Sequence, residues 1–311
     1  MSPIAIDAQP VPSHVPSKTT HPVFHQTTSD LPKNPLERTW RGDKEGKLRI
    51  EAYPSFMNAT DEAGLLEKRQ WVREHLAVAF RFWGKMGYGE GISGHITVRD
   101  PILRDHFWMN PFGVHFSSMT VSKLVLVTPE GFVHPTLGAQ RPINMAGFYI
   151  HSAIHHARPE VEAAGHCHSL HGKAWSTFGR PVEITTQDSC LFYDNLAVYH
   201  NFGGIVLAAE EGDNIAKALG PKNKCCILQN HGLLTLGHTV DEAAYLFSAL
   251  DNQCKVQLMI EAAAANGIQK TVIDDEDAQF TANTIQYHEN VYFNLNPEVQ
   301  LILEREPGVL L

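Results

Sequence analysis

The chain has 311 residues, 43% hydrophobic and 19% charged, a composition that suits a globular protein with a sizeable core. Its formal charge of −9 offers no basic face to nucleic acid or anionic lipid, so neither is an expected partner. No apolar run reaches the roughly 18 residues needed to span a bilayer, which excludes a membrane-spanning helix.

Five cysteines (Cys167, Cys190, Cys225, Cys226 and Cys254) with no CxxC pair argue against a disulfide framework. The N-terminus lacks a charged start and an apolar signal core, so a cytoplasmic location is expected. Residues 1–35, rich in Pro, Ser, Thr and His, are expected to be a flexible tail. From residue 61 the pattern turns helical: Leu65, Val72, Leu76, Ala79, Phe80 and Trp83 recur at helical spacing, and Gly87 is a natural stop. Short extended runs follow in "HITVRD", "HFWMN" and "KLVLVTPEG". Phe107, Trp108, Phe112 and Phe116 cluster here and are expected in the core.

"INMAGFYIHSAIHHARP" predicts a second helix, with Phe148, His151 and Ile154 on one face. Late in it, His155 and His156 have the ordinary role of imidazoles near a helix C-terminus. Then come strand-like "VEAAGHCHS", helical "LHGKAWSTFG", and "NIAKALG" ending at Gly220. "KCCILQNHGLLTLG" predicts two strands broken at Asn230-His231-Gly232. The last strong helix begins at Thr239, where Thr239 and Glu242 form an S/T-x-x-E capping box, and stops at Asn266-Gly267. With strands that alternate with helices but also follow one another directly, the pattern predicts one α/β domain with a mixed sheet. Residues 36–270 are assigned to that domain. Residues 271–311 form a C-terminal extension expected to pack on it or on a neighbouring subunit.

Two histidines one residue apart, His166 and His168, stand out among the eighteen. On a strand they project from one face while Cys167 points into the opposite layer, and two imidazoles on one face can chelate a divalent metal. A third ligand must come from elsewhere. His231, in a turn between two strands, and His171, three residues past His168, are both candidates. No GxSxG, GxxxxGK[ST] or GxGxxG motif occurs.

"GISGHITVRD", "HSAIHHARPEVEAAGHCHS" and "CCILQNHGLLTLGHTVDEAA", in this order, resemble the class II aldolase/adducin family over about residues 60 to 270. The resemblance implies a three-layer α/β/α fold with a central mixed, largely antiparallel sheet, and assembly as a homotetramer. It also implies a metal site of His166, His168 and His231, holding Zn2+ or else Fe2+ or Mn2+. Ser93, Gly94 and Asn144 fall on substrate-binding positions by the same likeness. The sugar-phosphate aldolases carry a Pro-Ser-Ser-Glu motif that aligns here with Asn144-Met145-Ala146-Gly147, so glycine stands where the acid/base carboxylate would be. A glycine moves no proton. His95, His171 and Tyr193 are the candidate replacements, with His95 and Tyr193 taken as catalytic. The implied activity is a metal-dependent lyase, cleaving or decarboxylating a small carbonyl or carboxylate substrate. An adducin-like binding module that keeps the metal site and an iron-dependent oxygenase are the alternatives.

Overall fold

The computed structural model describes residues 35–45, 47–50, 53–204 and 209–311. The expected flexible tail, 1–35, lies outside these residues except for Pro35. Eight strands form one sheet: β1 His95–Arg99, β2 Phe107–Met109, β3 Val125–Val127, β4 Val133–Gly138, β5 Ala163–Cys167, β6 Leu196–Tyr199, β7 Cys225–Leu228 and β8 Gly232–Gly237. Their order is β4-β3-β2-β1-β5-β8-β7-β6, and every neighbouring pair is antiparallel except β6 with β7. The sequence reading did not single out β4. It carries Pro135 and lies at the sheet edge, where a missing backbone donor leaves no ladder bond unmade.

Helices cover both faces, as in a three-layer α/β/α sandwich. Against one face pack α1 Glu62–Lys85, α5 Val240–Ala265 and α7 His288–Arg305; against the other lie α2 Met145–Ala157 and α4 Ala209–Leu219. The strand period sorts side chains between these layers. Ile96 and Val98 join the α1/α5 core, and Ala164 and Leu234 join the α2/α4 core. Cys167 enters the α1/α5 core, opposite His166, as alternation predicts. Gly165 shares that side, and a Cβ on it would stand 2.8 Å from the Trp83 ring. The missing side chain lets a fully buried Trp83 lie directly on the central strand.

The C-terminal residues continue this core. α6 Asp275–Ile285 precedes α7, whose Val291, Leu295, Val299 and Ile302 are buried with α1 and α5 residues. Phe107, Trp108 and Phe116 are buried as expected, whereas Phe112 is exposed. α1 ends before Gly87, which adopts φ +78°, and α5 ends before Gly267 at φ +87°.

The start of α5 departs from a simple capping box. The Thr239 side chain accepts the Glu242 amide at 3.1 Å, as expected. Glu242, however, reaches past the cap to accept the His238 amide at 2.6 Å and also pairs with Lys224. Its carboxylate is fully buried, so removing it strands the partly buried Lys224 ammonium and the His238 amide, whereas removing the Thr239 hydroxyl leaves one helix-end amide without its acceptor. Glu242→Ala should therefore cost about 3 kcal/mol in urea unfolding. Thr239→Ala should cost about 1 kcal/mol. Equal losses would show that the Glu242 pair adds nothing to the cap.

Candidate metal centre and active site

The centre of the sheet brings the candidate residues together. β5 lies between β1 and β8, with His166 opposite His95 on one side and Leu234 on the other. His168 follows β5, after the strand has ended at Cys167. His231 comes from the turn joining β7 to β8, closed by its amide on the Leu228 carbonyl at 3.0 Å. Asn230 makes that turn possible by adopting φ +58°, a left-handed conformation that asparagine tolerates better than most residues.

One nitrogen from each of His166, His168 and His231 lies within 4.8 Å of the others, and the ring centroids are 4.7 to 5.2 Å apart. His166 donates Nδ1–H to the Leu233 carbonyl at 2.8 Å, which leaves its Nε2 as the lone-pair nitrogen. A backbone partner of this kind fixes the tautomer of a metal-ligating histidine. Burial pushes the His231 pKa down to about 4, helped by the positive charge His168 can carry; burial likewise lowers His166 and His168. All three are therefore neutral donors at neutral pH. Three imidazoles fit a borderline divalent ion such as zinc or iron better than a hard oxygen-seeking one. His171, the other candidate third ligand, is turned away and pairs with Asp251 at 3.0 Å.

These histidines line a cavity of about 640 Å³ together with Ser93, Gly94, His95 and Asn144. Much of the remaining wall is apolar, from Ile92, Phe112, Met145, Ile150 and Phe202. Among the described residues of this wall, Lys173 is the one lysine or arginine, and Glu90 already pairs with it at 2.6 Å. Asn144 sits in the wall, but both ends of its amide are committed. Its Oδ1 caps α2 by accepting the Gly147 amide at 3.1 Å, and its Nδ2 donates to the Ile92 carbonyl at 3.3 Å.

Gly147 explains the position of His95. A Cβ at residue 147 would lie 2.2 Å from His95 Cδ2 and 2.5 Å from His95 Nε2. The imidazole thus fills the space into which a residue-147 side chain would project. Glycine and histidine are a matched pair here, since neither a carboxylate nor a methyl group fits beside that ring. His95 is 3% exposed, and burial, with the nearby His151, His231 and His168, holds its pKa well below the usual imidazole range.

Tyr193 is not brought to this cavity. Its hydroxyl donates to Asp275 at 3.2 Å, at the start of α6, and it is not among the residues that line the cavity of its own chain. Two residues the sequence reading passed over lie directly behind the site. His151 and His155, each 1% exposed, occupy successive turns of α2 against β1. Their spacing of four on the face that carries Ile154 was the available signal; His155, expected only as an imidazole near a helix C-terminus, is a buried core residue.

His155 also couples stability to pH. Burial lowers its pKa from 6.5 to about 3. Below pH 6.5 the unfolded chain therefore binds a proton that the folded chain refuses until about pH 3. Stability falls as pH drops through this window, by up to about 1.4 kcal/mol per pH unit for each such histidine. The urea midpoint should decline between pH 6.5 and 5, where carboxylates contribute little. A flat midpoint across that interval would contradict burial of neutral imidazoles.

Residues 74–258 match the family described as Class II Aldolase and Adducin N-terminal domain. Decarboxylase NovR of Streptomyces niveus is 38% identical over 244 residues, covering 78% of this chain and 88% of that one. The 4-hydroxy-3-prenylphenylpyruvate oxygenase/4-hydroxy-3-prenylbenzoate synthase of Streptomyces roseochromogenus is also 38% identical over 244 residues, covering 78% and 86%. Among solved structures, L-fuculose 1-phosphate aldolase from Glaciozyma antarctica PI12 superposes with a TM-score of 0.72. It is 43% identical, and the match covers 81% of this chain and 96% of that one. With the family model matched over more than half of the chain and relatives of this identity and coverage, the chain belongs to the class II aldolase and adducin family.

Proposed function

We propose that the protein is a metal-dependent lyase that breaks a carbon–carbon bond next to the carbonyl or carboxylate of a small substrate with an apolar body. The observation that supports this reading is the His95 ring standing over Gly147, an imidazole in the space that the carboxylate would take in the family's sugar-phosphate enzymes. His166, His168 and His231 would hold the ion, which when bound supplies Lewis acidity that stabilises negative charge on a substrate oxygen.

The chain's own residues account for the rest. As a neutral imidazole, His95 can take the proton of a substrate hydroxyl as an aldol bond breaks and return it to the carbon left behind. In a decarboxylation, His95 would take a proton from water and pass it to the carbon that loses carbon dioxide. Ile92, Phe112, Met145 and Phe202 favour an apolar substrate body and exclude water from the developing charge. Met145 and Ala146, where the aldolase motif has serines, give a phosphate no hydroxyl to accept from. The relative named a decarboxylase supports the same reaction class.

Zinc is the first choice of ion, and a cytoplasmic homotetramer is part of the proposal. The relative named an oxygenase favours a second reading, in which the same histidines hold iron. An adducin-like binding role would leave the purified protein without turnover.

The purified chain should carry one metal ion per polypeptide, and His166→Ala should lose it. Turnover of aromatic or aliphatic keto and hydroxy acids should exceed that of sugar phosphates. Oxygen consumption dependent on Fe2+ would select the oxygenase instead, and a protein without stoichiometric metal would end the lyase reading. His95→Gln should keep the metal while lowering kcat by about 10² to 10⁴-fold. Gly147→Glu should not gain aldolase activity; overpacking against His95 should cost about 1–3 kcal/mol. The double variant His95→Ala with Gly147→Glu should recover that stability.

A further inference from the structure

We infer that His151, Thr97 and His155 form a polarised hydrogen-bond relay that fixes the tautomer of His95 and leaves its Nε2 bare towards the cavity. The residues alternate across one interface. His95 and Thr97 project from β1 towards α2, whose His151 and His155 insert between and beside them. His95 Nδ1 is 3.0 Å from His151 Nε2, and His151 Nδ1 is 2.8 Å from Thr97 Oγ1. The same Thr97 oxygen is 2.9 Å from His155 Nε2, and His155 Nδ1 is 3.2 Å from the Val161 carbonyl.

The direction of every bond follows from the far end. A carbonyl oxygen only accepts, so His155 Nδ1 carries the proton and its Nε2, in a neutral ring, accepts. Thr97 must then give its single hydroxyl proton to His155. With that proton spent, Thr97 Oγ1 accepts from His151 Nδ1–H, which makes His151 Nε2 an acceptor. His95 consequently donates Nδ1–H to His151, and its own Nε2 has no proton. No residue among those described bonds to that nitrogen, and the ring lines the cavity beside the three other histidines.

One competitor could reverse the chain. Arg99 Nη2 lies 3.5 Å from His155 Nδ1. Were the arginine the donor there, every bond would run the other way and His95 Nε2 would carry the proton. That arrangement sets the lone pair of His155 Nδ1 against the Val161 oxygen at 3.2 Å. Arg99 Nη2 meanwhile makes its short bond, 2.8 Å, to the His155 carbonyl. A contact at 3.5 Å is at the edge of hydrogen-bond range, so the carbonyl sets the direction. Thr97 is then the positioning residue of the site: it touches no substrate, yet its one proton decides which face of His95 is a base.

This inference rests on His95 as the proton-transfer group for its meaning, but its test does not. In the full-length 15N-labelled chain with Zn2+ bound at neutral pH, two-bond 1H–15N correlations report which ring nitrogen carries hydrogen. His95, His151 and His155 should all show Nδ1–H, each assigned through its own His→Gln variant. Thr97→Val keeps the shape of the side chain and removes the hydroxyl, so His151 and His95 should lose the fixed pattern and show Nε2–H. Thr97→Ser should restore it. Thr97→Val should also lower kcat by at least about tenfold with KM and metal content unchanged, a split that damage to binding would not give. Nε2–H on His95 in the unmodified chain overturns the inference, as does Thr97→Val with wild-type tautomers. If the valine variant does not fold, the unmodified chain's tautomers decide alone. If the tautomers are as stated but His95→Gln keeps full turnover, the relay stands and the reading of His95 as the proton-transfer group falls.

Discussion

The pairing of β5 with β1 and β8 is the constraint on which the site depends. β5 is buried along its whole length and is hydrogen-bonded on both sides, so its side chains have no freedom of register. That pairing aligns His166 with His95 across the ladder. It also brings the β7–β8 turn, and with it His231, back to the same end of the sheet. The metal-ligand candidates thus come from a strand, the segment just after it and a tight turn, all tied to one rigid sheet. Among the described residues, no helix is long and apolar enough to cross a membrane, and the apolar surface goes instead into the two sandwich interfaces.

Buried polarity between β1 and α2 is the unusual element of this packing. A buried polar group costs roughly 1–3 kcal/mol when it lacks a partner. His151, His155 and Thr97 avoid that penalty by bonding to one another and to a carbonyl. Arg99 completes the row, stacking over Phe107 and donating to the His155 and Arg104 carbonyls. Arg99 Nε is the one atom of this row without a partner among the described residues, and the bonds that are made hold ring orientations that apolar packing would leave to shape alone.

Much of this was legible in the sequence, for identifiable reasons. Period-two alternation put His166 and His168 on one side and Cys167 on the other, and glycine stops marked the ends of α1 and α5. The substitution at Gly147 was visible as a missing carboxylate. That His95 occupies the vacated space was not visible, because it depends on how closely α2 approaches β1. Thr97 reads as an ordinary strand residue until His151 and His155 are seen on either side of it. The position of Tyr193 away from this cavity was not visible either, because its partner, Asp275, comes from a segment far along the chain with no pattern linking the two. The reach of Glu242 to His238 likewise depends on backbone geometry before the helix that the capping pattern does not encode.

The alternation of imidazole, thiol and imidazole along "HCH" has a further consequence for how the chain finds its fold. A strand slipped by one residue exchanges its two faces. In β5 such a slip would push His166 towards Trp83 and the apolar α1/α5 core, where Gly165 and Cys167 now sit. It would also leave a thiol facing His95. Mispaired β5 would therefore take His166 from its bond to the Leu233 carbonyl and crowd the tryptophan at once. The residues that mark the site chemically also act as a proofreading device for the central strand, penalising the wrong register before any ligand arrives.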